Sequence, residues 1–170
     1  KVVGGGLPIG VVAGRGGLMD PIDGGPWRYG DSSYPSTERV IFGGTFCQHP
    51  LVMASTLATL KHLGSQGPQL QEKLNIKTEH LKSTLNKFFI DEEMPIQVVN
   101  FGSLFRFSFN ENLELLFYHL MEKGIFIWEW RNYFLSTAHS IEDVDMIISA
   151  VKESALELRK GDFLKRSKIK

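Results

Sequence analysis

The chain has 170 residues, 42% of them hydrophobic and 22% charged, with a formal net charge of +0. That balance fits a globular protein and does not favour a polyanionic partner; nucleic acid would need a basic stripe, and the only basic run is the tail. A single cysteine, Cys47, excludes an internal disulfide framework and suits a reducing compartment, so a cytoplasmic location is expected. No apolar stretch has the length of a bilayer span. There is neither a signal peptide nor an initiator methionine, so the chain reads as processed or excised.

Residues 1–46 are rich in Gly and Pro. Short apolar runs at 9–13 and 40–42 are partly β-branched and bounded by breakers, which predicts buried strands. Between them, MDPIDGGPWRYGDSSYPSTER carries too many breakers for a helix or a long strand. A long irregular loop is usually functional or disordered. Trp27, Tyr29 and Tyr34 favour an ordered, functional one. From His49 the pattern changes. HPLVMASTLATLKHL predicts a helix opening at Pro50. Apolar and small residues cover most of its faces, so it is expected to be buried. GSQGP at 64–68 breaks it.

Pro68 opens a second, amphipathic helix, with Leu70, Leu74, Leu81, Leu85 and Phe88 on one side. Glu72, Lys73, Lys77 and Glu79 form its solvated face. IQVVNF (96–101) and LFRFSF (104–109) read as strands, the second with Phe105, Phe107 and Phe109 on one face. Leu113, Leu116, Phe117, Leu120 and Met121 then mark a helix ended by Gly124. IFIW (125–128) and YFLS (133–136) read as further strands. Ser140 and Asp143 predict a capping pair for a last helix, with Ile141, Val144, Ile148, Val151 and Ala155 as its stripe. Residues 68–160 thus read as a small α+β unit. Residues 1–67 do not make a domain alone, because their strands lack partners. The basic run at 158–170 reads as an exposed tail, with 161–170 outside both domains.

The glycines of KVVGGGLPIG fit neither a Walker-type loop nor a dinucleotide fingerprint. By themselves they suit a tight turn needing unusual dihedrals. FGGTFCQHP (42–50) places two glycines and a threonine ahead of a helix start. That suits an anion such as phosphate, and equally an ordinary turn with Thr45 as a turn residue.

Taken together, KVVGGGLPIGVVAGR and GGTFCQHPLVMAS resemble the class-III aminotransferases that use pyridoxal 5′-phosphate (PLP). The nearest branch is similar to glutamate-1-semialdehyde aminomutase. GGTFCQHPL, FGSLFRF and the aromatic DGGPWRYGDSSYP loop further resemble aminotransferase domains of hybrid polyketide–nonribosomal peptide synthetases of the mycosubtilin and iturin kind. The likeness runs to about residue 160.

The resemblance implies an α/β chain forming the C-terminal part of a fold-type I PLP-dependent transferase. Residues 1–67 would complete the large PLP-binding domain, and 68–160 would be the small C-terminal domain. Lys1 would be the Schiff-base lysine, which also moves the proton. Gly44 and Thr45 would bind the cofactor phosphate, with the loop supplied by a neighbouring subunit of a homodimer. The substrates would be an amino-acid donor and a carrier-bound β-ketoacyl thioester, in lipopeptide-type biosynthesis. Two departures stand out. The arginine with which many class-III enzymes clamp a substrate carboxylate falls near Tyr133, where there is none, and Arg131 is out of register. The acid that pairs with the pyridine nitrogen, the stacking aromatic and the first phosphate loop would lie upstream of Lys1, so the chain alone is expected to be inactive.

Arg106 is a candidate substrate residue, although an arginine on a strand's polar face is more often a surface or structural ion pair. Cys47 reads as a small buried hydrophobe, and His49 as part of a helix start. His62, His80, His119 and His139 lack metal-ligand spacing, so no metal site is expected. Two other readings remain: a stand-alone glutamate-1-semialdehyde 2,1-aminomutase, and a non-catalytic dimerisation or docking module.

Overall fold

The computed structural model describes residues 1–109 and 113–164. The chain divides into two compact units, Lys1–Gln66 and Gly67–Lys170.

The first unit contains α1 (Gly16–Asp23) and α2 (Pro50–Gln66), and its described residues form no strand. Residues 9–13 and 40–42 are therefore not the buried strands that their composition predicts. Val11, Val12, Val40, Ile41 and Phe42 are exposed. Strand backbone needs a neighbour to pair its N–H and C=O groups, and this unit offers none. The breaker-rich stretch also departs from expectation, since its front belongs to α1 despite Pro21 inside the helix. The proline has no N–H and so leaves one intrahelical hydrogen bond unmade. Gly24 ends it in the left-handed region, its N–H donating to the Asp20 carbonyl at 2.7 Å.

The loop that follows is tied by its own groups. Trp27 Nε1 donates to the Asp23 carbonyl at 2.7 Å, and the Arg28 N–H donates to Ser33 Oγ at 2.9 Å. Ser36 and Thr37 N–H groups both donate to the Gly24 carbonyl at 3.1 Å. A Cβ on Gly24 would lie 2.4 Å from Pro35, so this closure requires glycine.

α2 begins at Pro50 as expected but runs through Gly64 to Gln66. It is not buried: Thr56 alone is, while Leu51, Met53, Leu57 and Leu60 are exposed. An apolar composition sets a helix's preference for burial, not the presence of a cover, and this unit has too little chain to cover every face.

The second unit contains α3 (Gln69–Asp91), β1 (Ile96–Phe101), β2 (Leu104–Phe109), α4 (Glu114–Glu122), β3 (Tyr133–Phe134) and α5 (Ile141–Lys160). The sheet is antiparallel in the order β1-β2-β3, with Ile96 opposite Phe109 and Phe101 opposite Leu104. Gly102, at φ +59°, turns the hairpin. Alternation along β2 sends Phe105 and Phe107 inward. Helices α3 and α5 pack on each other, α3 also covers β1, and α4 packs on α5. Leu81, Leu85, Phe89, Val98, Leu116, Phe117, Leu120, Val144, Val151 and Leu158 fill the core. Fully burying each such side chain contributes roughly 1.5–3 kcal/mol.

The outer edge of β1 is met by α3. The Asn86 carboxamide accepts from the Val98 N–H at 2.7 Å and donates to the Val98 carbonyl at 2.9 Å. The Ser140–Asp143 capping box forms in both directions at the start of α5. Residues 125–128 are not the strand predicted for them. The Ile125 N–H still completes the end of α4 on the Leu120 carbonyl at 2.8 Å, and Trp130 turns the chain at φ +58°. Of YFLS, only Tyr133 and Phe134 pair with β2. Leu164 is buried in this core, and residues 165–170 of the expected tail lie outside the described residues. Among the described residues, no helix is long and apolar enough to cross a membrane.

Candidate functional site

The first six residues form a tight turn. The Gly6 N–H donates to the Lys1 carbonyl at 3.0 Å and the Gly5 N–H to the Val2 carbonyl at 3.1 Å. Gly5 and Gly6 take φ values of +61° and +96°, which glycine adopts without a Cβ penalty. The turn lies flat on α2. Ser55 Oγ donates to the Gly4 carbonyl at 2.9 Å, and a Cβ on Gly5 would come within 2.5 Å of the same oxygen. Lys1 is exposed, and among the described residues its side chain makes no hydrogen bond or ion pair.

The second candidate segment lies just ahead of the same helix. The Cys47 N–H donates to the Gly44 carbonyl at 3.0 Å, Gln48 takes φ +54°, and the His49 carbonyl accepts from Met53 at 2.9 Å as the helix opens. Gly44 and Thr45 are exposed. Ser55 is five residues beyond Pro50, about 7.5 Å along the helix axis. Two segments 40 residues apart in sequence are thus tied to one helix, the lysine turn on its second turn and the Gly-Thr loop at its N-terminal end. Taken separately, an exposed amine suits an aldehyde, and a hydroxyl with backbone amides at a helix start suits a phosphate. Cys47 is exposed rather than buried, because it sits in this loop and not on a packed face.

Arg106 lies in the second unit, on the exposed face of β2 opposite Val99. Among the described residues it makes no ion pair. Its charge acts on Tyr133, whose phenol is pushed up to about 12, chiefly by burial, against the opposing effect of Arg106.

Tyr133 belongs to a feature that element prediction passed over. Its ring packs with Phe105, Phe107 and Phe117, and Trp130 packs with Phe109 and Phe117. The Tyr133 hydroxyl donates to the Trp128 carbonyl at 3.0 Å, and the Arg131 guanidinium lies 4.9 Å from the centre of the Trp128 ring. Beside this cluster is an apolar cavity of about 90 Å³, lined by Phe105, Phe107, Ile125, Leu135 and Ile147, with His139 in its wall. His139 Nδ1 accepts from the Ser136 N–H at 3.0 Å, so the neutral ring carries its proton on Nε2. The sequence signal for the cluster was present in WEWRNY, where aromatics alternate with a cation.

No protein-family model matches the chain. It is 31% identical over 170 residues to a glutamate-1-semialdehyde 2,1-aminomutase of Archaeoglobus fulgidus, across 91% of this chain and 37% of that protein. It is 32% identical over 178 residues to the protein of the same name from Alkaliphilus oremlandii, across 94% of this chain and 38% of that protein. Among solved structures, a transaminase with PLP bound superposes with a TM-score of 0.73 at 26% identity, covering 95% of this chain and 38% of that one. An omega-transaminase from Sphaerobacter thermophilus gives 0.72 at 25% identity, covering 92% of this chain and 37% of that one. The fold is that of the C-terminal part of a PLP-dependent transaminase. The chain spans 37% and 38% of the length of these two curated relatives. All four relatives are named as enzymes, and the aminomutase branch expected from the lysine–glycine and Gly-Thr segments is the one that the curated relatives' names carry.

Proposed function

We propose that the intact protein is a PLP-dependent aminotransferase that places an amino group on the β-keto carbon of a carrier-bound acyl thioester, as in lipopeptide biosynthesis. The observation that supports this reading is the likeness to PLP-transaminase structures along nearly the whole chain, in which the lysine turn is held on α2 by Ser55. The cofactor, when bound, supplies the electron sink for chemistry at the carbon bearing the nitrogen. Lys1 attaches it and moves the proton at that carbon. A lysine suits both tasks, being a strong nucleophile once deprotonated. The Gly44 N–H and the Thr45 hydroxyl hold the phosphate, and in this reading they serve the cofactor of a second copy in a homodimer. The resemblance of GGTFCQHPL, FGSLFRF and the aromatic loop supports a thioester substrate. So does the lack of an arginine at the position near Tyr133, since a thioester has no free carboxylate there.

Borohydride reduction of the cofactor-loaded protein, followed by peptide mapping, tests the site. The adduct is expected on Lys1, and an adduct elsewhere overturns the assignment. A second reading, a glutamate-1-semialdehyde aminomutase, is favoured by the names of the curated relatives. Parallel assays with the semialdehyde and with a β-ketoacyl carrier thioester separate the two.

A further inference from the structure

Helix α2 carries four hydroxyl side chains, Ser55, Thr56, Thr59 and Ser65. Three of them bond back to the helix's own carbonyls: Thr56 to Val52 at 2.7 Å, Thr59 to Ser55 at 3.0 Å and Ser65 to His62 at 2.8 Å. That is the ordinary habit of a hydroxyl inside a helix. Ser55 departs from it. Its hydroxyl leaves the helix and donates to the Gly4 carbonyl, 51 residues earlier in the chain, at 2.9 Å. Among the described residues this is the only hydrogen bond between residues 1–7 and the remainder of the first unit. Gly4 is buried, and its carbonyl also accepts from the Leu7 N–H at 3.1 Å.

The tie reaches Lys1 through the turn itself. The Gly6 N–H holds the Lys1 carbonyl and the Gly5 N–H holds the Val2 carbonyl, so the place of Gly4 on the helix sets the place of the Lys1 backbone. The glycines bring that backbone hard against the two hydroxyls, since a Cβ on Gly5 would lie 2.5 Å from Ser55 Oγ and 3.1 Å from Thr59 Oγ1. A lysine stem is flexible, and only its backbone end can be fixed by the fold. We propose that Ser55 is a positioning residue for Lys1, acting through the Gly4 carbonyl to fix where the amine meets the cofactor aldehyde and the proton it moves. In attachment the unprotonated amine adds to the aldehyde carbon, and the aldehyde oxygen leaves as water with the two amine protons. This deepens the reading of Lys1 as the cofactor-bearing lysine and rests on it.

The test uses the intact protein freed of cofactor, as wild type, Ser55→Ala, Ser55→Thr and Thr56→Val. Thr56→Val is the control, because it removes a hydroxyl bond of the same helix that does not touch the turn. PLP is added, samples are quenched with borohydride at intervals, and peptide mapping gives the rate of attachment at Lys1. Ser55→Ala is expected to slow attachment about tenfold, short of the roughly hundredfold that a 1 Å misplacement costs. Ser55→Thr keeps the hydroxyl and recovers most of the rate, and Thr56→Val matches wild type. An unchanged rate in Ser55→Ala overturns the proposal, and so does a Ser55→Thr variant as slow as the alanine. An equal loss in Thr56→Val also overturns it, since general weakening of the helix would then explain both. Hydrogen exchange over residues 1–7 reads the tie without cofactor: it should quicken in Ser55→Ala and stay unchanged in Thr56→Val, and the reverse pattern sinks the idea. An adduct on a lysine other than Lys1 fails the functional reading, whereas an adduct on Lys1 formed at the wild-type rate in Ser55→Ala fails the positioning role alone.

Discussion

Gly5→Ala is the substitution on which the proposed site depends most directly. Two costs can be read from the structure. The residue sits at φ +61°, where a Cβ costs an L-residue about 1–2 kcal/mol. The new carbon would also lie 2.5 Å from Ser55 Oγ and 3.1 Å from Thr59 Oγ1. Ser55 can rotate away only by giving up its bond to the Gly4 carbonyl, worth about 0.5–1.5 kcal/mol. Together they come to about 1.5–3.5 kcal/mol against the turn that carries Lys1. Chemical denaturation of the intact protein measures the stability, and borohydride trapping measures the cofactor held at residue 1; both are expected to fall. The sharper check is a double-mutant cycle. Ser55→Ala alone loses the hydrogen bond and costs about 1 kcal/mol. In the Gly5→Ala background it should cost almost nothing further, because the bond is already gone and the carbon gains room. If the two effects simply add, the turn does not pack on α2 as described and the reasoning fails.

Four other outcomes are expected. If the phosphate loop serves a second copy, mixing Lys1→Ala with Thr45→Ala protein restores transamination, because the mixed dimer contains one intact site; the absence of any rescue would place both residues in the same subunit's site. Ser154→Ala in α5 should stabilise the protein by about 1 kcal/mol in denaturant titration, since the Ser154 hydroxyl is buried without a hydrogen-bond partner among the described residues; a destabilised variant refutes this. The Asp143 carboxyl is held below its ordinary value of 3.8, first by the Ser140 backbone N–H. Its contribution is therefore complete above that value and lost as the pH falls through the lower folded value, so the stability of Asp143→Asn, measured by denaturant titration at a series of acid pH values, should fall less steeply with pH than wild type's. The Tyr133 phenol is raised from 10.0 to about 12. The unfolded chain then releases its proton first, so stability should decline from pH 10 to about 12, and Tyr133→Phe should flatten that decline in alkaline melts.

How much was legible in the sequence differs between the two halves. In the second unit, local pattern and tertiary partner agree. The alternation of LFRFSF puts Phe105 and Phe107 on the inner face, and β1 and β2 occupy the predicted residues. Ser140 and Asp143 form their capping box because both partners lie within one turn of chain. In the first unit the same reasoning failed at 9–13, at 40–42 and over the faces of α2. Apolar runs state what a segment would bury, and pairing depends on neighbours that this unit does not contain.

Residue type and order alone determined the small α+β unit, its caps, and the candidate lysine and Gly-Thr segments. Only the tertiary structure decided that those two segments share α2, because a turn with two positive φ angles and a serine 51 residues away must meet in space to do so. The same holds for Arg131. Its place over Trp128 comes from the left-handed turn at Trp130 and the aromatic packing that enforces it. Neither is encoded in the spacing of the residues themselves, since a cation three positions from a tryptophan stacks on its ring here only because the backbone between them is bent and held.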